Sequence, residues 1–70
     1  MDKEEKIAGL ENMSAILYRI CRENEMSIRE IECAFIDEKT KIKSCSVLRR
    51  SNEDLSEIIS TVEDEISSLK

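Results

Sequence analysis

The stretch MSIREI, residues 26–31, decides how many helices the chain is predicted to form. Ser27 and Glu30 have the three-residue spacing of a capping box, in which each side chain accepts a hydrogen bond from a free backbone N–H at a helix start. Met26 and Ile31 stand at the flanking positions of a hydrophobic staple. The stretch therefore predicts that one helix ends near residue 25 and that another begins at Ser27.

Upstream of this boundary, the spacing of apolar residues predicts a first helix over residues 6–25. At 100° per residue these side chains cover about half of the helix circumference, which is wider than one packing partner requires. They are Ile7, Leu10, Met13, Ile16, Leu17, Ile20 and Cys21. We therefore expect the first helix to contact more than one neighbour.

Downstream, the pattern predicts a second helix over residues 27–50. Its core stripe comprises Ile28, Ile31, Ala34, Phe35, Ile42 and Cys45. Two alternatives remain open between residues 36 and 44. The helix is interrupted there, or a short β-hairpin replaces it, with 31–36 and 41–47 paired across the turn 37–40. The β-branched residues favour the β-hairpin, whereas the lack of an Asn-Gly or Asp-Gly turn argues against it.

The last segment gives the cleanest helical pattern, over residues 52–69. Its apolar residues alternate at intervals of four and three, as on one face of a helix. They are Leu55, Ile59, Val62, Ile66 and Leu69. With one glycine and no proline in 70 residues, the predicted fold is all-α. We expect a single domain over residues 1–70, built as a small three-helix bundle.

Composition argues against several classes of function. The chain has no histidine and no tryptophan, so the usual neutral-pH base and the commonest metal ligand are missing. We predict a protein that is not an enzyme, with no cofactor, metal or small-molecule substrate. Three cysteines, an odd number, indicate free thiols in a reducing compartment. The charged N-terminus and the lack of a long apolar run predict a soluble intracellular protein, cytoplasmic or nuclear, without membrane contact.

Charge is distributed unevenly along the chain. Residues 27–50 carry six basic and four acidic side chains, whereas residues 51–70 carry one and six. A basic run without an intervening acid comprises Lys39, Lys41, Lys43, Arg49 and Arg50. Three interpretations remain open: neutralisation by the acidic third helix, contact with nucleic-acid phosphate, or docking of an oppositely charged partner.

Two segments resemble known families. YRICRENEMSIREIECA, residues 18–34, resembles the first two helices of the Cro-like helix-turn-helix family, although Ile36 and Asp37 stand where its turn commonly has glycine and an apolar residue. This resemblance implies DNA binding, with Lys39 to Lys43 in the major groove and Arg49 and Arg50 on phosphate. SNEDLSEIISTV, residues 51–62, resembles a helix start in the MOZART family. That resemblance implies a small three-helix protein that wraps with helices of larger partners.

The function favoured by these patterns is protein binding. The apolar faces are wider than three short helices can cover, so we expect a regulatory or accessory subunit that binds a protein partner or a second copy of itself. The predicted contact residues, at the edges of the stripes, are Ile36, Val47, Ile58 and Leu69. The alternative is a degenerate helix-turn-helix regulator that binds DNA through the basic segment 39–50.

Overall fold

A computed structural model describes residues 2–70 and contains two long helices. Helix α1 spans Lys3–Cys33 and helix α2 spans Glu38–Leu69. They pack side by side as an antiparallel hairpin that measures 52 × 15 × 14 Å. The predicted three-helix bundle is therefore wrong, although the all-α prediction is confirmed. No strand occurs in this part of the chain, so the predicted β-hairpin alternative is also wrong.

The predicted boundary between residues 25 and 27 does not exist, because Ser27 and Glu30 both lie inside α1. A capping box contributes only about 1 kcal/mol. Ending the helix there would disturb the packing of Ile28, which is buried, and Ile31, which is half-buried. The boundary predicted near residue 51 is also absent, because α2 continues through it. The half-buried residues Leu48, Asn52 and Leu55 lie on both sides of this position.

The chain reverses direction between Ala34 and Asp37, inside the predicted second helix, so that helix is interrupted. The backbone is extended at both of these residues, and the Ala34 N–H donates to the Ile31 carbonyl at 3.1 Å. Asp37 then caps α2, because one of its carboxylate oxygens accepts from the Thr40 backbone N–H at 2.8 Å. The Thr40 hydroxyl lies 2.8 Å from the same carboxylate.

The contact between the helices follows an uninterrupted heptad pattern, with intervals of three and four residues along both helices. These seam positions are half-buried or buried throughout, as in a two-stranded antiparallel coiled coil. On α1 they are Ile7, Leu10, Ser14, Leu17, Cys21, Asn24, Ile28 and Ile31. On α2 they are Lys41, Cys45, Leu48, Asn52, Leu55, Ile59, Val62, Ile66 and Leu69. The most buried side chains are Ile28, Cys45, Ile59 and Val62.

A polar pair occupies one level of this otherwise mostly aliphatic seam. Asn24 Nδ2 donates to Asn52 Oδ1 at 2.9 Å, and Asn52 Nδ2 donates to the Cys21 carbonyl at 3.2 Å. A polar pair within an apolar seam favours the one register in which both partners meet. This pair therefore fixes how the two helices slide against each other.

Acid should weaken the cap of α2. The hydrogen bonds from the Thr40 hydroxyl and backbone N–H hold the pKa of Asp37 below its ordinary value of 3.8. A carboxyl with a lowered folded-state pKa stabilises the fold above its unfolded pKa, and this contribution is lost as pH falls through the folded value. We expect Asp37→Ala to lower Tm at pH 7, with the gap to the unmodified chain narrowing below about pH 4.

Circular dichroism melts at pH 7 and at about pH 2.5 measure this effect. Asp37→Asn is the matched control, because asparagine also caps helices and should retain most of the Tm at pH 7. A Tm gap between Asp37→Ala and the unmodified chain that stays constant down to the lower pH would contradict the assignment of the cap to the ionised carboxylate.

Candidate interaction surface

One long side of the hairpin is held by three polar contacts whose spacing along each helix is a multiple of seven residues. Lys70 Nζ lies 3.6 Å from Glu11 Oε2, and Arg49 Nη2 lies 3.0 Å from Glu32 Oε1. Between them, the Tyr18 hydroxyl donates to Glu63 Oε1 at 2.6 Å. We call this the polar side. The six side chains of these contacts are engaged with the facing helix.

The contact between Tyr18 and Glu63 changes the pKa of the phenol. Its hydrogen bond to Glu63, and the negative charge of that carboxylate, raise the pKa of Tyr18. Ionisation would remove the donated proton and place two negative charges together, so the neutral phenol is favoured. Tyr18 therefore remains a hydrogen-bond donor at neutral pH and links the two helices.

The opposite side carries an exposed apolar surface. Its position is marked by Lys6 and Glu65, whose charged groups lie 3.4 Å apart. Met13 follows Lys6 by seven residues and Ile58 precedes Glu65 by seven, so the heptad repeat places both on this side. We define the apolar strip as four side chains that are between 37% and 47% exposed, namely Met13, Ile16, Ile20 and Ile58. These are large side chains without cover on a slender hairpin.

The four predicted contact residues are dispersed along the hairpin. Ile58 belongs to the apolar strip, whereas Leu69 is a half-buried seam residue at the end that holds the termini. Ile36 lies exposed in the turn, and Val47 lies exposed on the outer face of α2. The structure therefore does not bring the four together on one surface.

Sequence reasoning missed three members of the strip, because it assigned Met13, Ile16 and Ile20 to the core of the first helix. The true seam of α1 includes Ser14 and Asn24, whose polarity concealed its period. The signal that could have separated the two faces is the strict heptad through Ile7, Leu10, Leu17, Cys21, Ile28 and Ile31. Residues outside that heptad are then the exposed ones.

The turn end of the hairpin carries a second exposed apolar group. Phe35, predicted to lie in the core, is fully exposed, because α1 ends before it. On α2, Ile42 and Val47 are also exposed. Ile42 and Val47 line a groove on α2, and the basic side chains of this groove are Lys39, Lys43 and Arg50.

The predicted basic run is divided between two environments. Lys41 occupies the seam, where its Nζ donates to the Glu32 carbonyl at 3.0 Å, and Arg49 pairs with the Glu32 carboxylate. Within residues 2–70, Lys39, Lys43 and Arg50 have no carboxylate within ion-pair distance. The ion pair formed by the run involves α1 rather than the acidic segment 51–70. The predicted DNA contacts of the five residues stay a prediction.

The helix-turn-helix geometry expected from residues 18–34 is not formed. That motif needs two short helices that meet at a turn, with the second placed across the first. Here residues 18–33 belong to one unbroken helix. The MOZART-like segment at residues 51–62 also lies within a continuous helix rather than at a helix start.

The three cysteines are free thiols in different environments. Cys45 is buried, with its sulfur 3.9 Å from the Ile28 carbonyl, and Cys21 is half-buried in the seam. Cys33, at the end of α1, is exposed. Among residues 2–70, no three side chains of the metal-ligating types His, Cys, Asp and Glu group around a common point.

Comparison with known proteins finds no matching family model, no matching curated protein and no matching solved structure. Across residues 2–70, neither helix has an apolar stretch long enough to cross a membrane. The most distinctive surfaces of the chain are the apolar strip and the groove at the turn end.

Proposed function

We propose that this chain is a non-enzymatic helical interaction module that binds another protein by side-by-side helix packing, as an accessory or regulatory subunit. The observation that carries this proposal is the apolar strip, which exposes Met13, Ile16, Ile20 and Ile58 on one side of the hairpin. Exposed apolar side chains that are contiguous mark interaction surfaces more often than scattered ones do.

The spacing of the strip supports a helical partner. Met13, Ile16 and Ile20 are separated by three and four residues, which is the interval that places side chains on one face of a helix for knobs-into-holes packing. Ile58 contributes from the neighbouring helix on the same side. The strip is therefore an exposed apolar face, contributed mainly by α1, which suits the apolar face of an incoming helix.

Affinity capture of the tagged chain from its native cells, with nuclease present, tests the proposal. We expect the doubly substituted variant Ile16→Glu/Ile20→Glu to lose the captured protein, because two carboxylates would be desolvated in the interface. The matched control is Ile42→Glu, which changes an exposed isoleucine on the polar side of α2. It should retain the captured protein.

Circular dichroism must show that both variants keep the helical content of the unmodified chain. Capture that is equal for all three chains would reject the apolar strip as the binding surface. Recovery that depends on nucleic acid, and disappears with nuclease, would also contradict the proposal and would instead favour the basic side chains of α2.

A further inference from the structure

The outer face of α2, which points away from α1, carries a basic ridge in the half of the helix next to the turn. Lys39, Lys43 and Arg50 follow one another at intervals of four and seven residues, so their side chains lie within about 40° of one another around the helix. They are opposite the seam positions Cys45 and Leu48, and all three are exposed. At about 1.5 Å per residue, this basic ridge is about 16 Å long.

Ser46 leaves a gap in the basic ridge between Lys43 and Arg50, with an aliphatic side chain on either side of it. Ile42 lies on one flank of the ridge and Val47 on the other. Both are 63% exposed, which is more than any member of the apolar strip. All five residues line the groove at the turn end. The groove therefore combines a cation on each side of its gap with two apolar walls.

The positive charges of the groove form no ion pair within residues 2–70. Lys39, Lys43 and Arg50 lie beyond ion-pair distance of every carboxylate in this range, including Glu38, which lines the groove at the turn end. The next acid on the same line of α2 is Glu57, about 10 Å beyond Arg50 along an unbroken helix. A carboxylate supplied from outside the chain can therefore pair with these cations without breaking an existing ion pair.

The spacing of the groove fits a helical segment with an acidic, apolar, acidic pattern. Because Lys43 and Arg50 are seven residues apart, a helix lying along the basic ridge reaches both of them when its own carboxylates are seven residues apart. Its residues three and four positions after the first acid then lie over Ser46. Apolar side chains there contact Ile42 and Val47, so the same segment covers the walls and neutralises the cations.

A nucleic-acid backbone is less complementary to the groove. A strand that follows the ridge past Arg50 meets Glu57 and Asp64, which continue the same line along the outer face of α2. Phosphates also leave Ile42 and Val47 without an apolar neighbour, since nucleic-acid backbone binding is mainly electrostatic. A short acidic helix ends before Glu57 and covers both walls.

We propose that the groove at the turn end binds an acidic helical segment of a partner protein, in which two carboxylates seven residues apart flank apolar side chains. This docking site goes beyond the proposed function, because it is separate from the apolar strip. The groove lies on the outer face of α2 within residues 38–50, whereas the strip is formed mainly by α1. Both surfaces can therefore be occupied at once, each by its own partner.

Titration of the isotope-labelled chain, followed by NMR, tests the proposal with a synthetic probe. The glutamate peptide is a helical peptide of about 16 residues, rich in alanine and glutamine, with two glutamates seven residues apart and leucines three and four positions after the first. We expect saturable shifts of the backbone signals between Lys39 and Arg50. The Kd should be about 100 µM or tighter and should weaken as salt is raised.

Reversing the charges of the groove should reverse its preference. Lys43→Glu/Arg50→Glu should weaken the glutamate peptide at least tenfold and should instead bind a lysine peptide, in which lysines replace the two glutamates. Arg19→Glu/Arg22→Glu is the matched control, because it makes the same change in net charge at exposed residues of α1. This control should bind the glutamate peptide with an unchanged Kd. Equal weakening by both variants would overturn the proposal, because only the net charge would then matter.

The apolar walls separate an acidic helix from nucleic acid as the occupant. Ile42→Ser/Val47→Ser keeps the cations and should weaken the glutamate peptide about tenfold, whereas Ile16→Ser/Ile20→Ser in the apolar strip should leave its Kd unchanged. Tighter binding of a DNA duplex of about 20 base pairs, retained by Ile42→Ser/Val47→Ser, would overturn the proposal in favour of nucleic acid. Shifts confined to the strip, or none that saturate up to about 1 mM peptide, would also overturn it.

Discussion

Replacing Ile59 by alanine is expected to lower the free energy of unfolding by about 2–4 kcal/mol. Ile59 is 6% exposed and is one of four buried side chains in the hairpin. Alanine removes three carbon atoms from the seam and leaves a cavity that two rigid helices can only partly close. Because a domain of this size has a total stability of only about 4–10 kcal/mol, the loss is a large part of the whole.

The two helices should unfold together in this variant. Each lies against the other along its whole length, and most helical stability in proteins comes from such packing rather than from intrinsic propensity. We therefore expect a single transition in circular dichroism at 222 nm, shifted to lower temperature, with all samples at one protein concentration. Ile42→Ala is the control, because it makes the same change on the same helix at a side chain that is 63% exposed.

A small effect of Ile59→Ala, similar to that of Ile42→Ala, would contradict the seam described above. It would mean that the aliphatic contacts of α2 with α1 contribute little to stability. Guanidinium denaturation of the same two variants provides an independent comparison, in which only the Ile59 variant should show a lower midpoint at an unchanged slope.

Part of this seam could be predicted from sequence. The interval of four and three from Leu55 to Leu69 was predicted correctly, because aliphatic residues occupy every seam position there. In α1 the same period passes through Ser14 and Asn24, and a search for apolar periodicity instead follows neighbouring isoleucines and methionines. Met13, Ile16 and Ile20 of the apolar strip were consequently assigned to the core of the first helix.

The position of the turn shows the limit of local signals. Ser27 with Glu30 and Asp37 with Thr40 both have the spacing of a capped helix start, but only the second is one. What separates them is the seam, which continues past Ser27 through Ile28 and Ile31. A cap worth about 1 kcal/mol cannot interrupt packing that contributes more, whereas at Asp37 no such packing opposes it.

Breaking the polar pair of Asn24 and Asn52 in the seam should also lower the stability of the hairpin. Asn52→Leu removes the acceptor of the Asn24 amide and the donor to the Cys21 carbonyl, so it leaves polar groups unpaired in a half-buried seam. We expect it to lower the free energy of unfolding by about 1–3 kcal/mol. Asn24→Leu should cost less, because Asn52 still donates to the Cys21 carbonyl.

Replacing both asparagines should not lower the free energy of unfolding, unlike either single replacement. In Asn24→Leu/Asn52→Leu the unpaired groups of the side chains are gone and two leucines face each other, so the stability should equal or exceed that of the unmodified chain. The register is then specified less strongly, because every seam level near the middle of the hairpin accepts an aliphatic neighbour. Shifted pairings and exchange of helices between chains become accessible.

A double-mutant cycle measures the change in stability, and light scattering measures the loss of a single register. The cycle should give a coupling energy between the two positions of about 1–3 kcal/mol, since each asparagine is costly only when its partner is missing. Light scattering should find one species for the unmodified chain and several for the doubly substituted one. Additive effects of the two substitutions, or a doubly substituted chain that remains a single species, would show that the pair does not select the register. In that case the short turn between Ala34 and Asp37 would hold the helices in place, because its length alone restricts how far they can slide.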